Sequence, residues 1–190
     1  MASALTAAPG TEPISVAEAK AHLRIDAETE DTLIGSLITS ARLWVERSYG
    51  LALITQGWSL YLDKVPESRA VALPLWPLQA VTTVTLHGPD DGTIDVSAYA
   101  ADLLSQPARL VFQSVAASSL SLRPLNGLEI AYTAGFGDAA DDVPAPIRQA
   151  LLLLVAHWYE RREPVMAGYE PAEVPSMVAG LLAPYRQVRL

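Results

Sequence analysis

The stretch that most constrains the fold is residues 143–163, VPAPIRQALLLLVAHWYERRE, the most apolar part of the chain. Two prolines, Pro144 and Pro146, stand where a first helical turn tolerates proline, and a pair of arginines ends the stretch. The residues between leave almost no polar stripe, and a helix of that kind is buried in a core or a membrane. Because the apolar run is far shorter than the roughly 18 residues that indicate a span, we expect a central helix covered on several sides.

Composition narrows the class of protein. The chain has 190 residues, a net charge of −8 and no cysteine, and 51% of its residues are hydrophobic. This hydrophobic content supports a core, and the lack of cysteine excludes disulfides and thiolate metal sites. The acidic balance argues against a surface that seeks phosphate backbones, although an acidic wall can let DNA slide past. The first ten residues do not resemble a secretory signal, so we expect a soluble protein made in the cytoplasm.

Two helices are predicted near the start of the chain. Residues 1–13 are small and Ala-rich, which favours a mobile or weakly docked tail. Ser15 and Glu18 then form an S-x-x-E capping box, which predicts a short helix to about residue 25. Apolar residues recur at three- and four-residue steps over 30–49, and Gly50 follows as the expected C′ residue. This pattern predicts a second, longer helix.

After Gly50 apolar and polar residues alternate, which is the pattern of β-strands, and turn residues separate these short runs. Residues 114–121 are small and polar and carry no clear signal. A second short helix is predicted near the C-terminus over 174–183, with Pro184 as its stop. Strands are predicted within residues 54–63, 71–75, 81–87, 93–96, 108–112 and 128–132.

The order of these elements predicts an α+β fold. A small helical bundle carries an antiparallel β insertion, shaped as a barrel or sandwich, between its second and third long helices. The predicted divisions are a tail at 1–13, the two parts of the bundle at 14–50 and 138–184, the insertion at 51–137, and a C-terminal arm at 185–190.

The candidates for chemistry are weak. His157 and Glu160 lie three residues apart on the central helix, but a di-metal bundle needs the order Glu-x-x-His on two helices. Asp138, Asp141 and Asp142 lack the spacing of a calcium loop and are better explained as charges before a helix.

No G-x-S-x-G motif occurs, and Gly135-Phe-Gly137 is too short for a phosphate loop. The four tryptophans lack a basic groove, so they are expected to be core or interface anchors. We therefore expect no catalytic residue, metal or cofactor, and a structural or interaction protein over an enzyme.

Several stretches together resemble the head–tail connector, or adaptor, proteins of tailed bacteriophages and gene transfer agents. No single motif is diagnostic, but their order and spacing cover nearly the whole chain from about residue 13. They are ISVAEAKAHLRID at 14–26, DTLI at 31–34, WVE at 44–46, LITQGW at 53–58, LPLWPLQAV at 73–81, YTAGFG at 132–137, VPAPIRQA at 143–150 and LAPYR at 182–186.

This resemblance implies the same fold and a function. Such proteins form a ring, commonly of twelve copies, under the portal of a DNA-filled head. The ring links the portal protein to the stopper or tail-completion protein, and DNA passes through its channel without sequence-specific binding. The family offers no catalytic residues to carry over. The resemblance implies a location at the head–tail junction of a virion or phage-like particle, after synthesis in the bacterial cytoplasm.

The C-terminal arm is the predicted interface. It interleaves apolar and basic side chains in an otherwise acidic chain, and aromatic and arginine anchors are common in interfaces. An extended segment of this type can add to a partner's sheet edge. The resemblance favours docking on the portal or on a neighbouring copy over folding back on its own subunit. The interface residues are Tyr185, Arg186, Val188, Arg189 and Leu190.

The alternative is a cytoplasmic enzyme or small-ligand binding module that uses the β insertion as a pocket. It requires convergent polar groups with perturbed ionisation, which no motif in the sequence indicates.

Overall fold

The structure is a computed structural model that describes residues 1–90, 92–113, 121–161 and 175–186. The chain divides into two compact units. Residues Met1–Gly10 and Thr55–Phe136 form a sheet unit, and Thr11–Ile54 with the described residues from Gly137 onward form a helical unit. The fold is a mixture of helices and antiparallel strands, so the predicted α+β class is confirmed.

The described residues contain four α-helices. Three short 3₁₀ turns accompany them, at Glu28–Glu30, Ala140–Asp142 and Ala183–Tyr185. The helices are α1 (Val16–Leu23), α2 (Asp31–Tyr49), α3 (Ala145–Glu160) and α4 (Ser176–Leu182).

Helix α1 begins, and helix α2 ends, where the sequence predicts. The Ser15 hydroxyl accepts a hydrogen bond from the Glu18 backbone at 3.1 Å, and Glu18 accepts one from the Ser15 backbone at 2.8 Å. These two bonds satisfy free donors of the first turn of α1. Helix α2 ends at Gly50, whose φ of 67° lies in the left-handed region that glycine adopts without strain.

Helix α3 is the centre of the helical unit. It packs against α1, α2 and α4. This arrangement explains why its sequence has almost no polar stripe, because three neighbours cover a wider arc than one would. The helix is shorter at each end than the predicted range of 143–163. Its fully buried residues are Ile147, Ala150, Leu151, Leu154 and Val155.

The described residues of the sheet unit form two sheets. The larger has the strand order β1-β2-β8-β4-β5 and the smaller the order β3-β7-β6, and every pairing is antiparallel. The strands are β1 (Ala2–Ala7), β2 (Gln56–Leu62), β3 (Ala70–Ala72), β4 (Leu78–His87), β5 (Thr93–Asp95), β6 (Tyr99–Asp102), β7 (Arg109–Phe112) and β8 (Leu128–Ala134).

Strand β8 lies at the centre of the larger sheet, and its side chains alternate strictly between buried and half-buried. Leu60 on β2 and Leu86 on β4 pair with the buried residues Ile130 and Leu128 of β8. Paired residues point to the same face of a sheet, so these side chains form one apolar face. This face supplies much of the core of the sheet unit.

The structure differs from the sequence predictions at three places. Residues 1–13 are predicted to be a tail, whereas Ala2–Ala7 forms β1 and pairs with β2. Strand β6 is not predicted, because Tyr99–Asp102 has no alternation. Over the described residues the strands form two open sheets and no closed barrel.

Candidate interface surfaces

The predicted C-terminal arm begins on an anchored segment. Val178 and Leu182 of α4 are fully buried where this helix packs against α3. The 3₁₀ turn Ala183–Tyr185 follows directly, so the α-helix ends at Leu182 and Pro184, its predicted stop, lies inside the turn. Proline fits at this second position because the N–H groups of the first residues of a helical turn have no partner within the turn.

Only the start of the predicted interface falls within the described residues. Tyr185 is half-buried at the end of the 3₁₀ turn, and Arg186 is exposed. Val188, Arg189 and Leu190 lie outside the described part of the chain. Residues 114–120, which carry no clear signal in the sequence, also lie outside the described part of the chain.

A buried ion cluster fixes the segment before α1 to α2. Arg42 donates from Nε to Glu12 at 2.8 Å and from Nη1 to Glu46 at 3.0 Å. Glu46 also accepts a hydrogen bond from the backbone N–H of Leu53 at 3.0 Å. Burial lowers the pKa of Arg42, but its two carboxylate partners raise it by more, so the guanidinium stays charged. The cluster therefore joins three parts of the helical unit through one side chain.

A second ion cluster connects α1 with α3. Glu18 contacts the Arg148 guanidinium, which also donates to Asp141 at 2.8 Å. The backbone and hydroxyl of Ser15 are the strongest causes that hold the pKa of Glu18 below its ordinary value, against burial, and Arg148 adds to them. Asp141 is thus an ion-pair partner, which agrees with its predicted role as a charge before a helix.

The residues considered as metal or phosphate ligands lie in the described part of the chain. No group of three or more potential ligand side chains is present in that part of the chain. His157 is half-buried on α3, where burial and the charge of Arg161 lower its pKa. At Gly137 an added Cβ would lie 2.2 Å from Asp142 Oδ2, so glycine is needed there for close packing.

The larger sheet carries a polar cluster on the face opposite its apolar core. Glu129 Oε1 accepts hydrogen bonds from Ser59 at 2.8 Å and from Tyr61 at 2.9 Å. Its other oxygen lies 3.3 Å from His87 Nε2. Burial raises the pKa of Glu129, but these hydrogen bonds lower it by more, so the carboxylate stays charged.

This cluster has the wrong order for nucleophilic catalysis. A catalytic serine needs a histidine base next to it, with the acid behind the histidine. Here the acid, Glu129, lies between Ser59 and His87. The serine hydroxyl is already donated to a carboxylate, so the cluster fastens neighbouring strands β2, β8 and β4 together.

The helical unit also contains a cavity of about 320 Å³. It lies between the segment that leads into α1 and the middle of α2. The cavity is mainly apolar, with two glutamates among its lining residues. They are Thr11, Glu12, Ile14, Ser15, Val16, Glu18, Gly35, Ile38 and Ala140.

Comparison with protein families identifies the chain. The model of the head completion protein family matches residues 12–188, which is nearly the whole length. The chain belongs to the head completion protein family. No curated protein sequence matches it. Membership confirms the resemblance found in the sequence, and the chain is a structural component of the head–tail connection of a phage-like particle.

Solved structures of gene transfer agent (GTA) particles contain chains similar to this head completion protein. The chain is similar to a protein in the neck of an empty GTA particle computed with C6 symmetry, with 28% identity and a TM-score of 0.81. It is also similar to a chain of the native GTA virion, with 27% identity and a TM-score of 0.80. A similar chain in the neck of the native GTA particle, computed with C12 symmetry, has 28% identity and a TM-score of 0.76. Each match covers 100% of this chain and 97% of the other.

Each of these matches extends over both the sheet unit and the helical unit of this chain. Among the described residues no helix is long and apolar enough to cross a bilayer. The site residues that sequence reasoning missed are Glu12, Arg42 and Glu46 of the first ion cluster and Arg148 of the second. Arg42 and Glu12 are 30 residues apart, and no local pattern connects them.

Proposed function

We propose that twelve copies of this head completion protein form a ring against the portal of a DNA-filled head. The observation that carries the proposal is the end-to-end match with a protein of the GTA neck, at a TM-score of 0.81. A related neck structure was computed with C12 symmetry. In such a ring each copy uses two different surfaces to contact its two neighbours.

The ring connects the portal protein on one side with the stopper or tail-completion protein on the other. DNA passes through its channel without sequence-specific binding. The net charge of −8 supports this view, because an acidic wall repels the phosphate backbone and keeps the DNA free to move. The role needs no catalysis, and the Ser59–Glu129–His87 arrangement offers no activated nucleophile.

The C-terminal arm is the part of the chain that docks on the portal or on a neighbouring copy. Its interface residues are Tyr185, Arg186, Val188, Arg189 and Leu190. Two features support the proposal. The arm starts from a turn anchored on α3 through α4, which limits the volume that the arm can search. It also carries aromatic and arginine side chains of the kind that dominate interface energies.

Deleting the gene for this protein in the strain that produces the particle tests the proposed role. Heads that package DNA should then accumulate without attached tails, and the protein supplied in trans should restore tail attachment. Electron microscopy of the particles measures the fraction of heads with tails. Normal tail attachment in the deletion strain would refute the connector role.

Truncation tests the arm separately. Removing residues 186–190 should abolish co-purification with the portal and leave the melting temperature within about 2 °C, because Arg186 is exposed. The matched control is Met177→Ala, a change at a side chain of α4 that is 65% exposed. Portal binding by the truncated protein would contradict the arm proposal. A large loss of stability would instead indicate that the arm folds back on its own subunit.

A further inference from the structure

Both outer strands of the larger sheet are exposed along their whole length. The order β1-β2-β8-β4-β5 leaves β1 and β5 each with one edge that no other strand of the described residues pairs with. Every residue of both strands is exposed. Natural sheets protect such edges with charged side chains, proline or bulges. Strand β1 has no charge and no proline, and its bulge lies between Leu5 and Ala7. Its edge is therefore open to another strand as far as Leu5.

The two edges carry matching apolar side chains. Leu5 of β1 is 48% exposed, and Ile94 of β5 is 50% exposed. Leu5 pairs with Trp58 of β2, and Ile94 pairs with Leu86 of β4. The registers across β2, β8 and β4 place these side chains on the face that carries the core. The apolar face of the sheet therefore ends at each edge in one half-covered aliphatic side chain.

The backbone of β5 directs hydrogen-bonding groups away from β4 at Thr93 and Asp95. The Val96 N–H donates to the Val84 C=O at 2.8 Å, so Val96 bonds to β4. In an antiparallel pair, residues that bond to the partner strand alternate with residues whose N–H and C=O point away from it. Ile94 therefore bonds to β4 as Val96 does, and the residues on either side of Ile94 point outward.

The backbone of β1 directs such groups away from β2 at Ser3 and Leu5. The His87 N–H donates to the Gly127 C=O at 2.8 Å, which fixes the alternation along β8. Followed through the registers of β8 with β2 and of β2 with β1, this alternation makes Ala4 bond to β2. The N–H and C=O groups of its neighbours, Ser3 and Leu5, therefore point outward.

The directions of the two outer strands suit a cyclic assembly. Every pairing in this five-stranded sheet is antiparallel, so its first and last strands run in the same direction. Copies in a ring are related by rotation about one axis, so the β5 edge of one copy can meet the β1 edge of the next without inversion. The junction is then a parallel pair, in which one residue bonds to two alternate residues of the facing strand. The edges are thus two unlike surfaces that fit one another.

We propose that β1 of one copy pairs in parallel with β5 of the next copy, so that the larger sheets join edge to edge around the ring. Thr93 then donates its N–H to the Ser3 C=O and accepts from the Leu5 N–H. The Asp95 N–H donates to the Leu5 C=O. Leu5 and Ile94 lie side by side and cover each other on the apolar face.

This contact lies wholly within the sheet units, and it rests on the proposed ring. Strand β5 has 3 residues, so the ladder of hydrogen bonds between copies is short. Such a contact is weak on its own and becomes effective when the portal holds neighbouring copies close together. Ring assembly should therefore depend on the portal.

Disulfide trapping tests the contact directly, because the chain has no cysteine of its own. Leu5→Cys/Ile94→Cys places two thiols side by side on one face of the joined sheet, and Ala4→Cys/Thr93→Cys does so on the other. Adjacent strands lie about 4.8 Å apart, which is within the Cα separation that a disulfide allows. Within one copy β1 and β5 are roughly 19 Å apart, so a cross-link must join two copies. Oxidation of portal-bound rings should give covalent ladders of several subunits on a non-reducing gel.

The crossed pairs are the matched controls. Ala4→Cys/Ile94→Cys and Leu5→Cys/Thr93→Cys use the same exposed positions but direct the two thiols to opposite faces. They should give at least about tenfold less cross-linked product, because thiols that point apart cannot be bridged. Equal ladders from all the pairs would overturn the proposal. So would rings that are visible by electron microscopy but carry no cross-link, while the proposed connector function would stand. If no ring forms with the portal, the connector function and the contact both fail.

A proline at the β5 edge gives an independent test. Thr93→Pro removes the N–H that bonds to the next copy, and an edge strand tolerates proline where its N–H points away from the sheet. This variant should keep its melting temperature within about 2 °C and lose ring assembly on the portal by about tenfold, because the Ser3 C=O is left without its donor. Thr93→Val keeps the N–H and should assemble normally. Rings formed by Thr93→Pro at the wild-type level would overturn the contact. A large fall in melting temperature would place the Thr93 N–H within its own sheet and would also contradict it.

Discussion

Truncating one leucine of the central helix gives a sharp test of the packing. Leu154 is 0% exposed on α3, which packs against three other helices. Leu154→Ala therefore removes buried methyl groups where neighbours on several sides cannot all collapse inward. The buried methyl groups lose their favourable transfer from water, and the cavity that they leave adds a further cost. Together these effects lower the free energy of unfolding by about 3–4 kcal/mol. For a chain of this size that corresponds to a fall of roughly 6–15 °C in melting temperature.

The adjacent residue supplies the control for this test. Leu153 is half-buried on the same helix, so Leu153→Ala makes the same chemical change with less burial lost. It should cost about 1 kcal/mol. Thermal unfolding followed by circular dichroism at 222 nm reports helix and compares the two variants. Equal shifts, or no shift for Leu154→Ala, would refute the assignment of α3 as the covered centre of the helical unit.

Three further changes test individual side chains. Arg42→Ala removes the guanidinium from the buried Glu46 carboxylate and should lower the unfolding free energy by about 3–5 kcal/mol in urea titration, whereas the exposed Arg47→Ala should change it little. The capping-box bonds with Ser15 hold the pKa of Glu18 below its ordinary value, so the contribution of this carboxylate to stability is present above the ordinary pKa and is lost as pH falls through the lower folded pKa. Glu18→Gln should therefore flatten the loss of melting temperature on the acid side. The buried Tyr132 hydroxyl has no hydrogen-bond partner in the described residues, so Tyr132→Phe should raise stability by about 1 kcal/mol, and a loss of stability would indicate a bound water.

The helices could be predicted because their signals are local. Ser15 and Glu18 cap α1 within one turn, and Gly50 ends α2 by its own conformational freedom. The central helix α3 is recognised from composition alone, since almost any face of it is apolar. Only its neighbours, and hence which positions are buried and which, such as Leu153, are half-buried, depend on the folded structure.

Two of the edge strands, β1 and β6, could not be predicted, because pairing rather than sequence pattern stabilises them. Ala2–Ala7 is exposed along its whole length, so it has no alternation between buried and open positions. Its partner, β2, provides the ladder of backbone hydrogen bonds that the sequence cannot indicate. Strand β6 is likewise short and paired only to β7 in the three-stranded sheet.

The surfaces depend on contacts between distant parts of the chain. The cavity joins residues before α1, on α2 and in the turn before α3. Leu103 and Leu104 are exposed on a loop that the Asp102 carboxylate closes, and neither property follows from two adjacent leucines in a sequence. The sequence predicts the family and the order of the elements, whereas the surfaces depend on the folded structure.

Mass photometry of the purified portal with and without this protein tests the central claim most directly. The account predicts a single complex whose mass exceeds that of the portal by twelve copies of the chain, and no complex of comparable abundance with another number. Negative-stain images of the same sample should contain an added ring on one face of the portal. A protein that stays monomeric in the presence of the portal would contradict the account.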